Sequence, residues 1–161
     1  MHRNSINLMT SFRDRYLGNW PGTSVLDVGA KRYRRQRTYR RLFREYKYVG
    51  MDMEEGDNVD IVVSKPYRWD EIPDEAYRTV ISGQTLEHCE FFWQAFLEMG
   101  RVVKKGGVLC VIAPRKAGLH RYPVDCWRFL PDGMRALGNW AQLKTLEAFI
   151  SHDDTVGIFA R

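Results

Sequence analysis

Short apolar runs alternate with helix-spaced segments along nearly the whole chain, and this alternation limits the fold more than any other feature. The runs read as strands at Ser24 to Val28, Tyr48 to Met53, Val59 to Val63, Arg78 to Ser82 and Val108 to Ala113, with closing strands at Leu143 to Ile150 and Thr155 to Ala160. Helical spacing appears at Ile6 to Leu17, where Ile6, Met9, Phe12 and Tyr16 share a side, and Trp20-Pro21-Gly22 ends the helix. It recurs at Tyr33 to Tyr46, with Tyr39, Leu42, Phe43 and Tyr46 facing inward. Glu90 to Val103 aligns Phe92, Phe96, Met99 and Val103, and Lys104-Lys105-Gly106-Gly107 reads as its C-terminal cap. Pro131 to Leu137 is a short fourth helix. Apolar strands separated by helices predict an α/β fold: a mostly parallel sheet of about seven strands, helices on both faces, the last strands antiparallel. Ligands of such sheets bind beyond the carboxyl ends of the strands, where the strand order switches.

At 161 residues the chain fits one domain: an N-terminal helix in 1–20, a ligand-binding core in 24–114, and a substrate loop with closing strands in 115–161. No apolar run approaches membrane-spanning length, and Met1 to Thr10 carries no signal-peptide pattern, so a cytoplasmic protein without a membrane partner is expected. The three cysteines, Cys89, Cys110 and Cys126, form no Cys-x-x-Cys pair and suggest neither disulfides nor a zinc site; no metal ligands are assigned. The net charge of +5 is concentrated. Lys31, Arg32, Arg34, Arg35, Arg37, Arg40, Arg41, Arg44 and Lys47 are opposed only by Glu45, a block that suits nucleic acid, an acidic partner or a solvated helix face equally.

The polar residues cluster where the predicted strands end. In Val25-Leu26-Asp27-Val28-Gly29, an acidic residue precedes a glycine that lets backbone approach a ligand. Asp52 stands 23 positions after Gly29, at the end of the second strand, where a carboxylate grips a ribose diol. A nicotinamide loop would need Gly-x-Gly-x-x-Gly, and no glycine occurs from Ala30 to Arg34. After the fourth strand comes a polar turn, Ser82-Gly83-Gln84-Thr85-Leu86-Glu87-His88.

These runs, with Gly50-Met51-Asp52 and Lys105-Gly106-Gly107, resemble the class I (Rossmann-like) S-adenosylmethionine-dependent methyltransferases, in particular the group with a Leu-Glu-His turn after strand four. The resemblance spans Ser24 to Pro114. It implies S-adenosylmethionine as cofactor, with Asp27 and Gly29 at its methionine end, Asp52 at the ribose, Met53 beside the adenine, and Ser82, Gly83 and Gln84 beside the sulfonium. The chain departs from the family after Gly29, where Ala30, Lys31, Arg32 and Tyr33 replace two further glycines, and at Ser64-Lys65, where an acidic residue is usual.

Methyl transfer needs an acceptor held in line in a dry site, and an oxygen acceptor adds the need for a base. The segment from His120 to Phe129 supplies candidates. His120 and Asp125 read as a catalytic base and its orienter, and Arg121, Tyr122 and Arg128 as substrate-binding residues. Glu87 and His88 read as braces of their turn. The Asp/Asn-Pro-Pro-Tyr of nucleobase amino-methylation and the Pro-Cys of cytosine carbon methylation are both missing. A small-molecule or saccharide acceptor, methylated at oxygen, is therefore expected, with nucleic acid less favoured and an oligomer left open. The competing reading is a catalytically weak binding module whose basic helix, 31–47, docks nucleic acid or an acidic partner.

Overall fold

The computed structural model describes residues 3–18, 20, 22–33 and 36–161; Met1, Pro21, Arg34 and Arg35, named above, lie outside them. The elements run α1 (Arg3–Tyr16), β1 (Ser24–Val28), β2 (Lys47–Asp52), β3 (Ile61–Val62), β4 (Tyr77–Gly83), α2 (Phe92–Val102), β5 (Val103–Pro114), α3 (Pro131–Trp140), β6 (Lys144–Ser151) and β7 (Asp154–Ala160). Single 3-10 turns occupy Tyr39–Arg41 and Leu86–His88.

Seven strands form one sheet in the order β3-β2-β1-β4-β5-β7-β6. β1 pairs parallel with both β2 and β4, so the order switches between β1 and β4. β7 inserts antiparallel between β5 and β6, as the closing hairpin predicts. Successive residues of the central strands face opposite sides, and both sides are apolar. On one, Met9 and Phe12 of α1, with Tyr39 and Phe43, cover Val25, Ile81, Cys110 and Ile112. On the other, Phe96 and Met99 of α2 and Met134 of α3 cover Leu26, Val80, Leu109 and Val111. Each fully buried Phe or Met contributes roughly 1.5–3 kcal/mol. No helix among the described residues is long and apolar enough to cross a membrane.

Two expectations are corrected. The described part of Tyr33 to Tyr46 is no α-helix; only Tyr39–Arg41 makes a helical turn. Arg37, Arg40, Arg41 and Arg44 recur three and four apart, a spacing that sets like charges together on a helix and destabilises it. Tertiary bonds replace the helix: Arg40 reaches Asn58 and Asp60, while Tyr39 and Phe43 are buried in the core. The second correction concerns Lys104 to Gly107. α2 ends at Val102, β5 begins with the extended Val103, and the pair of glycines lies inside β5 where its register beside β4 is irregular. Gly106 adopts a φ of 72°, and a side chain on Gly107 would meet the Arg78 carbonyl oxygen at 2.6 Å.

Candidate functional site

The carboxyl ends of β1 and β4 are joined by their turns. Gly29 has a φ of 77°, which glycine adopts without strain, and a Cβ there would lie 2.2 Å from the Thr85 Oγ1. Thr85 and Ser82 both donate to the Val28 carbonyl, at 3.3 and 3.0 Å. Ser82 is buried and committed to this link. Asp27 is buried too, and the Tyr48 hydroxyl donates to it. Burial pushes its carboxyl up to about 7, against the downward pull of that hydroxyl. The Asn58 amide donates to the Ala30 carbonyl at 2.7 Å and to the Tyr48 hydroxyl at 3.1 Å. Asp27 therefore faces the interior beneath the loop and braces it.

Asp52 stands at the open edge. Its Oδ2 accepts from the Lys31 backbone N–H at 3.0 Å, and its Oδ1 from Met53 at 2.8 Å and Glu54 at 3.4 Å. These bonds fix the carboxylate and leave lone pairs toward solvent. Met53, 54% exposed, offers an apolar surface beside it. The loop after Gly29 folds onto the following acidic loop: Lys31 pairs with Glu54 at 2.5 Å, Arg32 with Asp57, and Arg40 with Asp60 at 2.5 Å. Part of the basic block is thus matched by carboxylates rather than displayed on a helix.

Beyond β4, Gly83 packs so tightly against Tyr39 that a Cβ would meet the phenol oxygen at 2.0 Å. Gln84 follows with a φ of 60° and donates to Asp154 at 3.0 Å. Glu87 is fully buried, and neither carboxylate oxygen has a hydrogen-bond partner. Burial pushes its carboxyl up to about 8. The His88 Nε2 lies 3.7 Å away, and its Nδ1 meets the Val124 carbonyl at 2.6 Å. Burial also lowers the His88 pKa.

The segment after β5 folds back over this turn. Cys126 and Trp127 donate to the Glu87 carbonyl at 2.7 and 3.3 Å. Asp125 accepts from the His120 backbone N–H at 2.8 Å and from both Arg128 terminal nitrogens at 2.6 and 2.9 Å. The Arg128 guanidinium holds that carboxyl well below the usual range. Arg128 also donates to the carbonyls of Trp127, Ala117 and Gly118. Asp125 and Arg128 are brought together as the fastener of the loop, and the His120 ring leans on the Gly118 carbonyl (2.9 Å) more closely than on Asp125 (3.5 Å). The His120 and Tyr122 rings pack around His88, with centroids 5.1 and 5.8 Å away, and Tyr122 also touches Tyr33 of the glycine loop. Arg121 is exposed on the rim.

A cavity of about 510 Å³ opens at the ends of β4 and β5, lined by Arg3, Asn4, Gln84, Lys116, His120 and Asp154 among others. Sequence reasoning missed Tyr48, Asn58, Thr85 and Asp154, which set the loops in place. Tyr48 carried a faint signal, a phenol opening an otherwise apolar strand. Asn58 and Asp154 carried none, because their partners are set by tertiary folding.

The model of the methyltransferase domain family matches residues 26–111. Among solved structures, the chain resembles a Burkholderia thailandensis 1,6-didemethyltoxoflavin-N1-methyltransferase that binds 1,6-didemethyltoxoflavin and S-adenosylhomocysteine (TM-score 0.73, 13% identity, 96% of this chain and 77% of that one). It also resembles an S-adenosylmethionine-dependent methyltransferase from Aquifex aeolicus (0.65, 13%, 99% and 98%). The cyclase SpnF shares the fold as well (0.69, 17%, 95% and 79%). No curated protein sequence matches the chain.

Proposed function

The chain belongs to the methyltransferase domain family and is an S-adenosylmethionine-dependent methyltransferase, and we propose that it methylates an oxygen of a small polar acceptor, a saccharide, in the cavity at the ends of β4 and β5. The observation that carries this reading is the lining of that cavity. Its volume of about 510 Å³ suits a small ligand, and Arg3, Asn4, Gln84 and Lys116 offer donors to hydroxyls or an anionic group.

The residues at the strand ends fit the cofactor. Asp52 would hold the ribose hydroxyls, its carboxylate already aimed by three backbone N–H groups. Met53 would pack against the adenine. The backbone at Gly29-Ala30 and Gly83-Gln84 would border the methionine portion, with Asp27 and Ser82 acting from beneath as braces. When bound, the cofactor supplies a methyl group activated on a sulfonium. The acceptor hydroxyl must lose its proton. We assign that step to the Glu87–His88–His120 group, of which His120 lines the cavity. Asp125 and Arg128 position His120 by holding the loop, and Arg121 and Tyr122 border the acceptor. Three unbridged cysteines agree with a cytoplasmic setting.

The binding-module reading rested on a basic helix over 31–47. Among the described residues of that segment only Tyr39–Arg41 makes a helical turn, so they do not present their charges on one continuous helix face.

Incubating the chain with methyl-labelled S-adenosylmethionine and a panel of sugars, sugar nucleotides, catechols and short RNAs tests the proposal. Label is expected in an O-methyl group of a saccharide, read by mass spectrometry. Transfer confined to nitrogen acceptors or to RNA overturns it.

A further inference from the structure

Three candidate ligands converge beside the acceptor cavity without satisfying one another. We propose that Glu87, His88 and His120 bind one divalent transition-metal ion, such as zinc, with an open coordination position toward that cavity. One ligand atom from each residue lies within 4.8 Å of the others. Two histidines and one carboxylate form a ligand set typical of zinc sites that keep a fourth position open.

The tautomers agree. The Nδ1 of His88 meets the Val124 carbonyl at 2.6 Å, and that of His120 meets the Gly118 carbonyl at 2.9 Å. A carbonyl only accepts, so each Nδ1 carries a proton, and in a neutral ring the lone pair then lies on Nε2. Metal-bound histidines are commonly fixed in this way, by a carbonyl on the far nitrogen.

The carboxylate gives an independent indication. Both Glu87 oxygens are out of solvent and without hydrogen-bond partners, an arrangement that folded proteins rarely leave uncompensated. An ion would compensate it. The frame is firm, since Cys126 and Trp127 hold the Glu87 carbonyl and Asp125 holds the His120 N–H. Tetrahedral zinc holds its ligand atoms about 3.3 Å apart. The set must therefore contract, and the His120 side chain, 37% exposed, has room to swing inward.

The ion's role rests on the methyltransferase reading. At the cavity edge its charge would favour loss of the acceptor hydroxyl proton, which passes to solvent.

The full chain, stripped of metal with a chelator, is titrated with Co²⁺ as a coloured probe. Visible absorption bands should saturate at one ion per chain and vanish when Zn²⁺ is added. His120→Ala, at a partly exposed site that should tolerate the change, and Glu87→Gln should each weaken Co²⁺ binding at least tenfold. Absence of bands in the wild type, or undiminished binding in His120→Ala, overturns the proposal. S-adenosylhomocysteine binding is measured on the same samples by calorimetry. Intact bands without that binding would support the ion site and count against the cofactor site alone.

Discussion

Replacing Asp52 with alanine tests the ribose assignment most directly. The Oδ1 already accepts from Met53 and Glu54, whereas the Oδ2 accepts only from Lys31, so the diol would make one strong bond to Oδ2 and share a second with Oδ1. A hydrogen bond to a charged group contributes about 1.5–3 kcal/mol, and the half-exposed setting keeps the sum at about 2–4 kcal/mol. That corresponds to a roughly 30- to 700-fold rise in Kd for S-adenosylhomocysteine, read by calorimetry. Asp52→Asn should recover little of the loss. Its amide NH2 must face either the Lys31 or the Met53 backbone N–H, donor against donor. If Asp52→Ala keeps a normal melting curve and binds within about threefold of wild type, the ribose is held elsewhere. An Asp52→Asn variant that binds like wild type would refute the need for an acceptor-only group.

The other predictions concern the supports of the site. The folded Asp27 pKa is raised from 3.8 to about 7, so the stability linked to its proton is full below pH 4 and lost as pH rises through 7. Asp27→Asn should therefore gain in melting temperature over wild type between pH 5 and pH 8; parallel profiles would contradict a buried, neutral Asp27. Gly29→Ala combines a φ of 77° with a 2.2 Å clash against Thr85, and should destabilise by about 2–4 kcal/mol in urea denaturation. Adding Thr85→Ala should relieve the contacts with the threonine hydroxyl and methyl but neither the 2.8 Å approach to its Cβ nor the backbone strain, so full recovery would contradict both. Arg128→Ala removes both terminal-nitrogen bonds to Asp125. Acceptor KM should rise about tenfold in steady-state kinetics while S-adenosylhomocysteine affinity stays within threefold; the reverse pattern would place Arg128 at the cofactor.

The fold was legible because strand burial is a local property of the sequence. Runs such as Val25-Leu26 and Val80-Ile81 are apolar on both sides, as strands covered on two faces must be. The ends of those strands were legible for the same reason: Asp52 and Gly29 follow apolar runs directly. Legibility failed where long-range contacts outweigh local spacing. Tyr39 and Phe43 have helical spacing and are buried, yet the backbone between them makes only a 3-10 turn. Asp27 and Asp52 looked alike in sequence. One is covered by Tyr48 and the other is open, a difference set by packing between strands and loops. Glu87 and His88 are neighbours in sequence, whereas His120 joins them only when the segment after β5 folds back.

The glycine loop shows how a departure from the family pattern is accommodated. Without the two further glycines and without a regular helix, the backbone after Gly29 has no local pattern to hold it. Gly29 and Ala30 instead donate to the Met51 carbonyl, Arg32 donates to the Asp57 carbonyl, and the Asn58 amide donates to the Ala30 carbonyl. Asp60 accepts from Gly50 and from Arg40, tying the same acidic loop to β2. The three ion pairs between the loops are largely exposed, each contributing about 0–1 kcal/mol, so they cannot supply most of the order. The buried contacts around Asp27, Tyr48 and Asn58 must do so. On the proposed cofactor reading, Asp27 would serve the site by shaping the loop above it, and Asp52 would serve it by direct contact.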